Sequence, residues 1–469
     1  MDKLSDASAK LVVWDDDDPE NPQSWSNLRK YCILATISTG SLCVTCASSV
    51  VTSAYKGIER DLGASEEVAI LGLSLFVVGL GLGPMLLAPF SEFYGRKPVY
   101  FAAFLAFFLL GLPVAFANNK PVFFIFRFLT GFAGSAFLSV AGGSVADLWA
   151  PSETFFPMAF YTCSPFAGPV LGPVFAGFIN QYSNWRWSFW VITIWSFINL
   201  VALTLFAPET FHPVLLSRRA RQLRNTTGDA SYYAKHELVL EGKSLLSTIS
   251  ASSTRVAKLL TLEPMLLLLC IWCAILLGIL YLFFELFPIV FAKHHFQEYQ
   301  VGLSFIGIGI GNFLALATMP FFIRRYHARM ADPSRAGPEA RLELGKVGAI
   351  LAPAALFTFA FTSYAHVHWI APIIASVFFG GSIIYVYTSV FTYSATVWQP
   401  LAASAMGANS ALRSAFAAGF PLFANPMARR LGTVGTAALL AGLTCLIAPL
   451  PFLFDRYGPQ LRAKSKFSM

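Results

Sequence analysis

The chain has 469 residues, 56% of them hydrophobic and 12% charged, whereas soluble globular proteins carry about 25% charged residues. That composition excludes a soluble globular protein. The formal net charge of +8 is accounted for by membrane topology and anionic lipid headgroups, and needs no nucleic-acid partner.

Residues 1–30 are polar and contain the acidic run Asp15 to Asp18. They read as a retained cytosolic tail rather than a cleavable signal peptide. Apolar stretches long enough to cross a bilayer then follow at 31–55, 68–90, 98–117, 122–146, 157–181 and 187–207, and again at 264–292, 300–323, 347–364, 369–393, 402–425 and 433–454. A backbone in lipid must satisfy its own hydrogen bonds, so each stretch predicts a spanning helix. The expected fold is an all-α membrane protein of twelve transmembrane helices in two six-helix bundles, 31–207 and 264–456. A cytosolic linker, 208–263, joins them, and a cytosolic tail, 457–469, ends the chain. With both termini inside, about 24 of the 33 Lys and Arg residues fall on the cytosolic side, as the positive-inside rule requires.

The two sets of spans repeat one another. Gly79, Gly81, Gly83 and Arg96 recur as Gly307, Gly309, Gly311 and Arg324 at one common offset. Duplicated six-span halves are the architecture of the major facilitator superfamily, whose substrate site lies between the halves near the membrane midplane. Trp149 and Trp398 fall at inner ends of spans, and Trp185, Trp187 and Trp369 at outer ends, positions expected of interface anchors. Cys43/Cys46 and Cys270/Cys273 have C-x-x-C spacing, but they sit in apolar spans with no nearby His. They read as small packing residues rather than a metal or redox site.

Between spans two and three, the stretch from Ala88 to Lys97 supplies Glu92, Gly95, Arg96 and Lys97. One acid, a turn glycine and two cations can bond to neighbouring helix ends, with Asp147 of span four expected in reach, and so hold one conformation shut. The alternative is that the cations only enforce topology. Arg127 in span four is costly to bury and should face the cavity or a partner; bonding to backbone carbonyls is its structural alternative. Span five carries Gly168, Pro169, Gly172, Pro173 and Gly177, which allow close helix approach and bending, with ordinary packing as the alternative. Glu285 in span seven is the carboxylate placed well inside the membrane. Desolvation disfavours the charged form of such a group, which would let it exchange a proton near neutrality, unless it is an interfacial residue facing water. Arg413, Asn409, Phe416 and Phe420 share one face of span eleven as a cavity wall might, with Tyr281 of span seven as a further lining candidate.

The loop from Ala88 to Lys97 resembles the loop motif of major facilitator transporters, with Glu92 where that motif has Asp and Phe93 where it has Arg. Arg127 and Gly131 match the span-four motif of proton-coupled members. The Gly-Pro pattern of span five resembles the element associated with antiporters. Further strings, including Asp17 to Pro22, Asn184 to Trp190, Pro208 to Thr210, Leu280 to Glu285 and Ala402 to Ala405, look like the fungal twelve-span drug:proton antiporters. A departure is Pro151 to Phe156, where that family usually has an Arg-Gly pair. The resemblance implies a plasma-membrane transporter that exports small amphipathic molecules, acts as a monomer in the lipid bilayer, and uses the proton as coupling ion with no other cofactor. In that reading Glu285 takes the proton, and Arg127 and Arg413 tune it or hold an anionic group. The rival expectation is transport of an organic acid, polyamine or other nutrient metabolite. A channel or a non-transporting receptor fits the repeat poorly, and no nucleophile pattern points to an enzyme.

Overall fold

A computed structural model describes residues 10–15, 18–150, 153–240, 245–332 and 337–465. The spans run over Asn27–Leu62, Glu66–Tyr94, Arg96–Ala115, Lys120–Leu148, Phe156–Tyr182 and Arg186–Phe206, then Pro264–Ala292, Glu298–Met330, Pro338–Thr362 and Ile370–Val397. Spans eleven and twelve follow within one continuous helical stretch, Ser404–Ala463. At Gly432 the backbone turns to φ +71 and ψ 170, so the helix Ala402–Ile447 is two helices joined at a sharp bend. That left-handed conformation suits glycine, which has no Cβ to clash. The expected count of twelve spans therefore stands.

Span one packs on spans five and six, span two on span four, and span three on spans four and six; in the second half span seven packs on the eleven–twelve segment, and span ten on spans eight and nine. The halves meet along spans two and eleven and along spans five and eight. In lipid, apolar side chains gain little by touching one another, so close approach at small residues must hold the helices together. The repeated glycines do this identically in both halves. A Cβ at Gly79 or Gly83 would strike the backbone of span four, and one at Gly307 or Gly311 the backbone of span ten. Gly81 and Gly309 instead face the other half, against Ser414 of span eleven and Val170 of span five respectively. The sequence repeat is thus a repeat of packing roles.

Outside the spans, Lys10–Leu11 pairs in parallel with Tyr232–Tyr233, a small strand pair in an otherwise helical protein. Val12 packs there with Ala220 and Ala234, while Arg219 binds Asp15 and Asp18. The N-terminal tail is therefore clasped to the linker. Helix His212–Thr227 of the linker continues from span six, and helix Leu245–Leu262 lies against span two and the span-eleven segment.

Three tryptophans expected as interface anchors sit at span ends with their rings packed inward. Trp149, Trp185 and Trp398 are buried; Trp149 packs on Tyr31, and the Trp185 indole donates to Asp61 at 2.9 Å. Each ring is large enough to fill a gap between helix ends, and that packing outweighs its affinity for headgroups. Trp187 and Trp369 are exposed as expected. Cys43, Cys46, Cys270 and Cys273 are buried free thiols, in keeping with a packing role.

Candidate functional site

Glu285 is 5% exposed, which removes the reading as a water-facing interfacial residue. Its Oε1 accepts from the Tyr55 hydroxyl at 2.9 Å. One turn earlier on span seven, the Tyr281 and Ser48 hydroxyls are 2.9 Å apart. Both contacts join span one to span seven, and so join the halves. A carboxyl group withdrawn from water is costly unless hydrogen-bonded, and Tyr55 supplies the donor.

Arg127 is buried and spends its guanidinium on backbone. Nε donates to Gly72 O at 2.8 Å, Nη1 to Ala47 O at 2.8 Å and Nη2 to Ser48 O at 3.2 Å, and the group lies over the Phe76 ring at 4.4 Å. The structural alternative weighed for this residue is the geometry observed, and no ion pair joins Arg127 to Glu285. Its link to the carboxylate is indirect: it clamps the stretch of span one whose Ser48 meets Tyr281.

The span-eleven residues do not form one open wall. Arg413 lies near the span-ten rings of Tyr387 and Phe391, at 5.9 and 5.7 Å. Phe420 fills a notch at Gly278 of span seven, where a Cβ would be 2.9 Å from the ring, and Phe416 meets Phe420 in a tilted contact at 5.5 Å. Asn409 is buried beside Cys270 and Cys273.

On the linker side, Arg96 Nε meets Asp147 at 3.2 Å and Nη1 donates to Ser91 at 2.8 Å. The expected acid of this cluster, Glu92, is exposed, and among the described residues its side chain enters no ion pair. It sits one helical position away from the face that meets span four, so its carboxylate points outward. Glu209 takes the central place: its carboxylate accepts from the backbone N–H groups of Arg96 at 2.8 Å, Lys97 at 3.2 Å, Thr210 at 3.1 Å and Phe211 at 3.0 Å. Gly95, at φ +100, lies against that carboxylate, where a Cβ would collide with it. Lys97 contributes its backbone N–H rather than its ammonium group. His212 Nδ1 accepts from Trp14, so its Nε2–H donates to Asp147 O at 2.7 Å. Glu209 was legible only as part of the Pro208-Glu-Thr string; the signal was an acid at the inner end of span six, opposite a basic loop.

In span five, Gly168 and Gly172 let span one approach at Thr45, Cys46 and Ser49. Pro169 and Pro173 lie inside a helix that stays continuous. Gly177 faces Glu298 and Tyr299 of span eight, while Gly302 of span eight closes on the Pro173 carbonyl. The motif thus packs span five within its own half and against the other.

That contact belongs to a set on the side away from the linker. Lys56 pairs with Glu298 at 3.0 Å. Glu66 accepts from Asn425 at 2.8 Å and Arg429 at 2.5 Å. Each of these links crosses between halves. On the linker side, the ion pairs among described residues stay within one half or within the tail and linker: Arg96–Asp147, Arg329–Asp455, Lys346–Asp455 and Arg462–Glu339. Among the described residues, ion pairs fasten the halves on the far side, and none does so on the linker side.

Residues 37–422 match the family model described as Major Facilitator Superfamily. The chain belongs to that superfamily. Among curated superfamily proteins it is 43% identical to "Efflux pump atB" of Aspergillus terreus, covering 97% of this chain and 88% of that one. It is 39% identical to "Probable drug/proton antiporter YHK8" of Saccharomyces cerevisiae, with 96% and 88% covered, and 37% identical to "Efflux pump FUBT" of Fusarium oxysporum, with 96% and 76% covered. The superfamily fold is shared with the Escherichia coli xylose transporter XylE in a partially occluded inward-open conformation, at TM-score 0.64 and 17% identity over 92% of this chain and 98% of that one.

Proposed function

We infer that this superfamily member exports small amphipathic molecules across the plasma membrane in exchange for protons, by alternating access. The observation that carries the reading is the buried Glu285 carboxylate held by Tyr55 across the two halves. A hydrogen bond to an ionised acceptor is roughly twice as strong as a neutral one. The protonation state of Glu285 therefore changes the strength of a tie that exists only while the far side is closed. A proton can bias an equilibrium between two states only through such a differential interaction. The names of the relatives, efflux pumps and a drug/proton antiporter, support the same direction of transport.

In this account the linker side is cytosolic, as its Lys and Arg content requires, and both termini lie there. The structure then corresponds to the state closed to the outside. The Arg96–Asp147–Glu209 cluster anchors the loop after span two to spans four and six, so that the N-terminal half moves as one body. Arg127 keeps spans one, two and four in register beneath the proton site. One copy of the chain contains both halves and the site between them, so a monomer is the working unit, with a small molecule and the lipid bilayer as its partners and the proton as coupling ion.

The test is accumulation of a compound panel, comprising azoles, cycloheximide, spermidine, organic acids and fungal metabolites, in pump-deficient yeast expressing the protein. Lower accumulation of at least one compound, reversed by a protonophore, is the expected result. Higher accumulation in expressing cells would show uptake instead and would overturn the export reading.

A further inference from the structure

The two arginines inside the spans are treated differently by their surroundings. Arg127 gives three nitrogens to carbonyl oxygens, whereas Arg413 faces aromatic rings and phenols. Tyr387 and Phe391 flank it, and the Tyr387 hydroxyl donates to Cys273 O at 2.8 Å. Among the described residues no carboxylate lies at ion-pair distance from Arg413, and Glu285 is engaged with Tyr55. Arg413 is half-buried, and a guanidinium inside a membrane span with no balancing charge is expensive.

Two amides are buried within the neighbouring spans. Asn409, one turn before Arg413 on span eleven, is 3% exposed, and its Oδ1 and Nδ2 have no nitrogen or oxygen partner in the protein; the weakly bonding Cys270 and Cys273 thiols are its neighbours. Asn312 of span eight donates to Phe166 O of span five at 3.4 Å and leaves its Oδ1 without a partner. Buried polar groups are seldom left unmatched unless something else uses them. Phe166 meets the Tyr387 ring edge-on at 4.9 Å, so the aromatic wall beside Arg413 draws on both halves.

We propose that the transported molecule is an organic anion with a flat apolar body and one carboxylate, the carboxylate meeting the Arg413 guanidinium and the Asn409 amide, and the body lying against Phe166, Tyr387 and Phe391. This rests on the reading of the protein as a transporter whose site lies between the halves. The planar guanidinium fork matches a carboxylate with two parallel hydrogen bonds. An organic cation would be repelled by Arg413, and a neutral molecule would leave its charge unbalanced.

The test is binding of three probes with one ring system, 2-naphthoate, 2-naphthamide and 2-naphthylmethylammonium, to the full-length protein in lipid nanodiscs by titration calorimetry, with no proton gradient. The naphthoate should bind at least about tenfold more tightly than the amide, and the ammonium more weakly still. Arg413→Gln should erase the preference for carboxylate over amide, and Arg413→Lys should keep part of it. Equal or tighter binding of the amide or the ammonium by the unaltered protein overturns the proposal, as does failure to bind millimolar naphthoate or a preference that survives Arg413→Gln. The ranking by the unaltered protein decides the matter even if the glutamine variant does not fold. Because no gradient is present, failure here leaves proton-driven export standing, and failure of export in yeast leaves the binding preference standing.

Discussion

Tyr55 and Glu285 belong to different halves of the molecule, and the Tyr55 hydroxyl donates to the Glu285 carboxylate at 2.9 Å on the side away from the linker. On the proposed function, this places the group that takes the coupled proton in one of the contacts that alternating access must break. The Ser48–Tyr281 contact lies one turn away on span seven and about two turns away on span one, so separation of these spans would undo both together.

Tyr55→Phe removes the donor and keeps the ring. A hydrogen bond to a charged group contributes about 1.5–3 kcal/mol, so the initial rate of gradient-driven transport should fall at least about tenfold at unchanged protein yield. Initial rates normalised to purified protein check this, and a rate equal to the unaltered protein's would show that Tyr55 has no part in coupling.

Glu209, not Glu92, holds the loop between spans two and three. Glu209→Ala leaves four backbone N–H groups without their acceptor and should destabilise the protein by about 2–4 kcal/mol. Glu92→Ala, at an exposed position, should stay within about 0.5 kcal/mol. Thermal unfolding followed by size-exclusion chromatography distinguishes the two; equal losses would contradict this assignment.

The Glu66–Arg429 pair crosses between halves at the surface, where such pairs contribute about 0.2–1 kcal/mol. Glu66→Arg should shift the protein toward the state open on the far side by a few-fold, and the exchanged pair Glu66→Arg with Arg429→Glu should restore it. The readout is labelling of a single cysteine placed on the far side between spans two and eleven. A charge exchange that restores nothing would show that the pair does not fasten the halves.

Gly302 lies against the Pro173 carbonyl across the halves, and Gly311 lies against span ten within one half. Gly302→Val should prevent far-side closure while leaving a folded, monodisperse protein. Gly311→Val should lower stability itself by about 1–3 kcal/mol, the usual cost of overpacking. Comparing cysteine labelling with thermal unfolding for the two variants separates a conformational effect from a folding effect.

The spans were legible because lipid imposes length and apolarity on every crossing helix, and the glycines at one offset reported the duplication before any contact was visible. Gly432 was not legible as the junction of the last two spans, since its significance lies in a left-handed backbone angle. Glu92 lies beside Arg96 in sequence and so reads as the acid of the cluster, while the acid that fills it comes from 113 residues further along the chain. Trp149 and Trp398 read as interface residues from their position at span ends, which says nothing about whether a ring points toward lipid or toward a neighbouring helix. Arg127 reads from sequence as a costly buried cation, but whether it meets carbonyls or a carboxylate depends on the register of spans one and two. The pairs that join the halves, such as Tyr55 with Glu285 at a separation of 230 residues, leave no local pattern in a single sequence.

The central claim is that Glu285 carries the coupled proton. Its most direct test uses proteoliposomes containing either the unaltered protein or Glu285→Gln, loaded with a compound that the yeast panel identifies, with exchange and pH-gradient-driven accumulation measured side by side. The account predicts that the glutamine variant still exchanges the compound across the membrane but no longer accumulates it against a gradient. Gradient-driven accumulation by Glu285→Gln equal to that of the unaltered protein would contradict it and place the proton on another group.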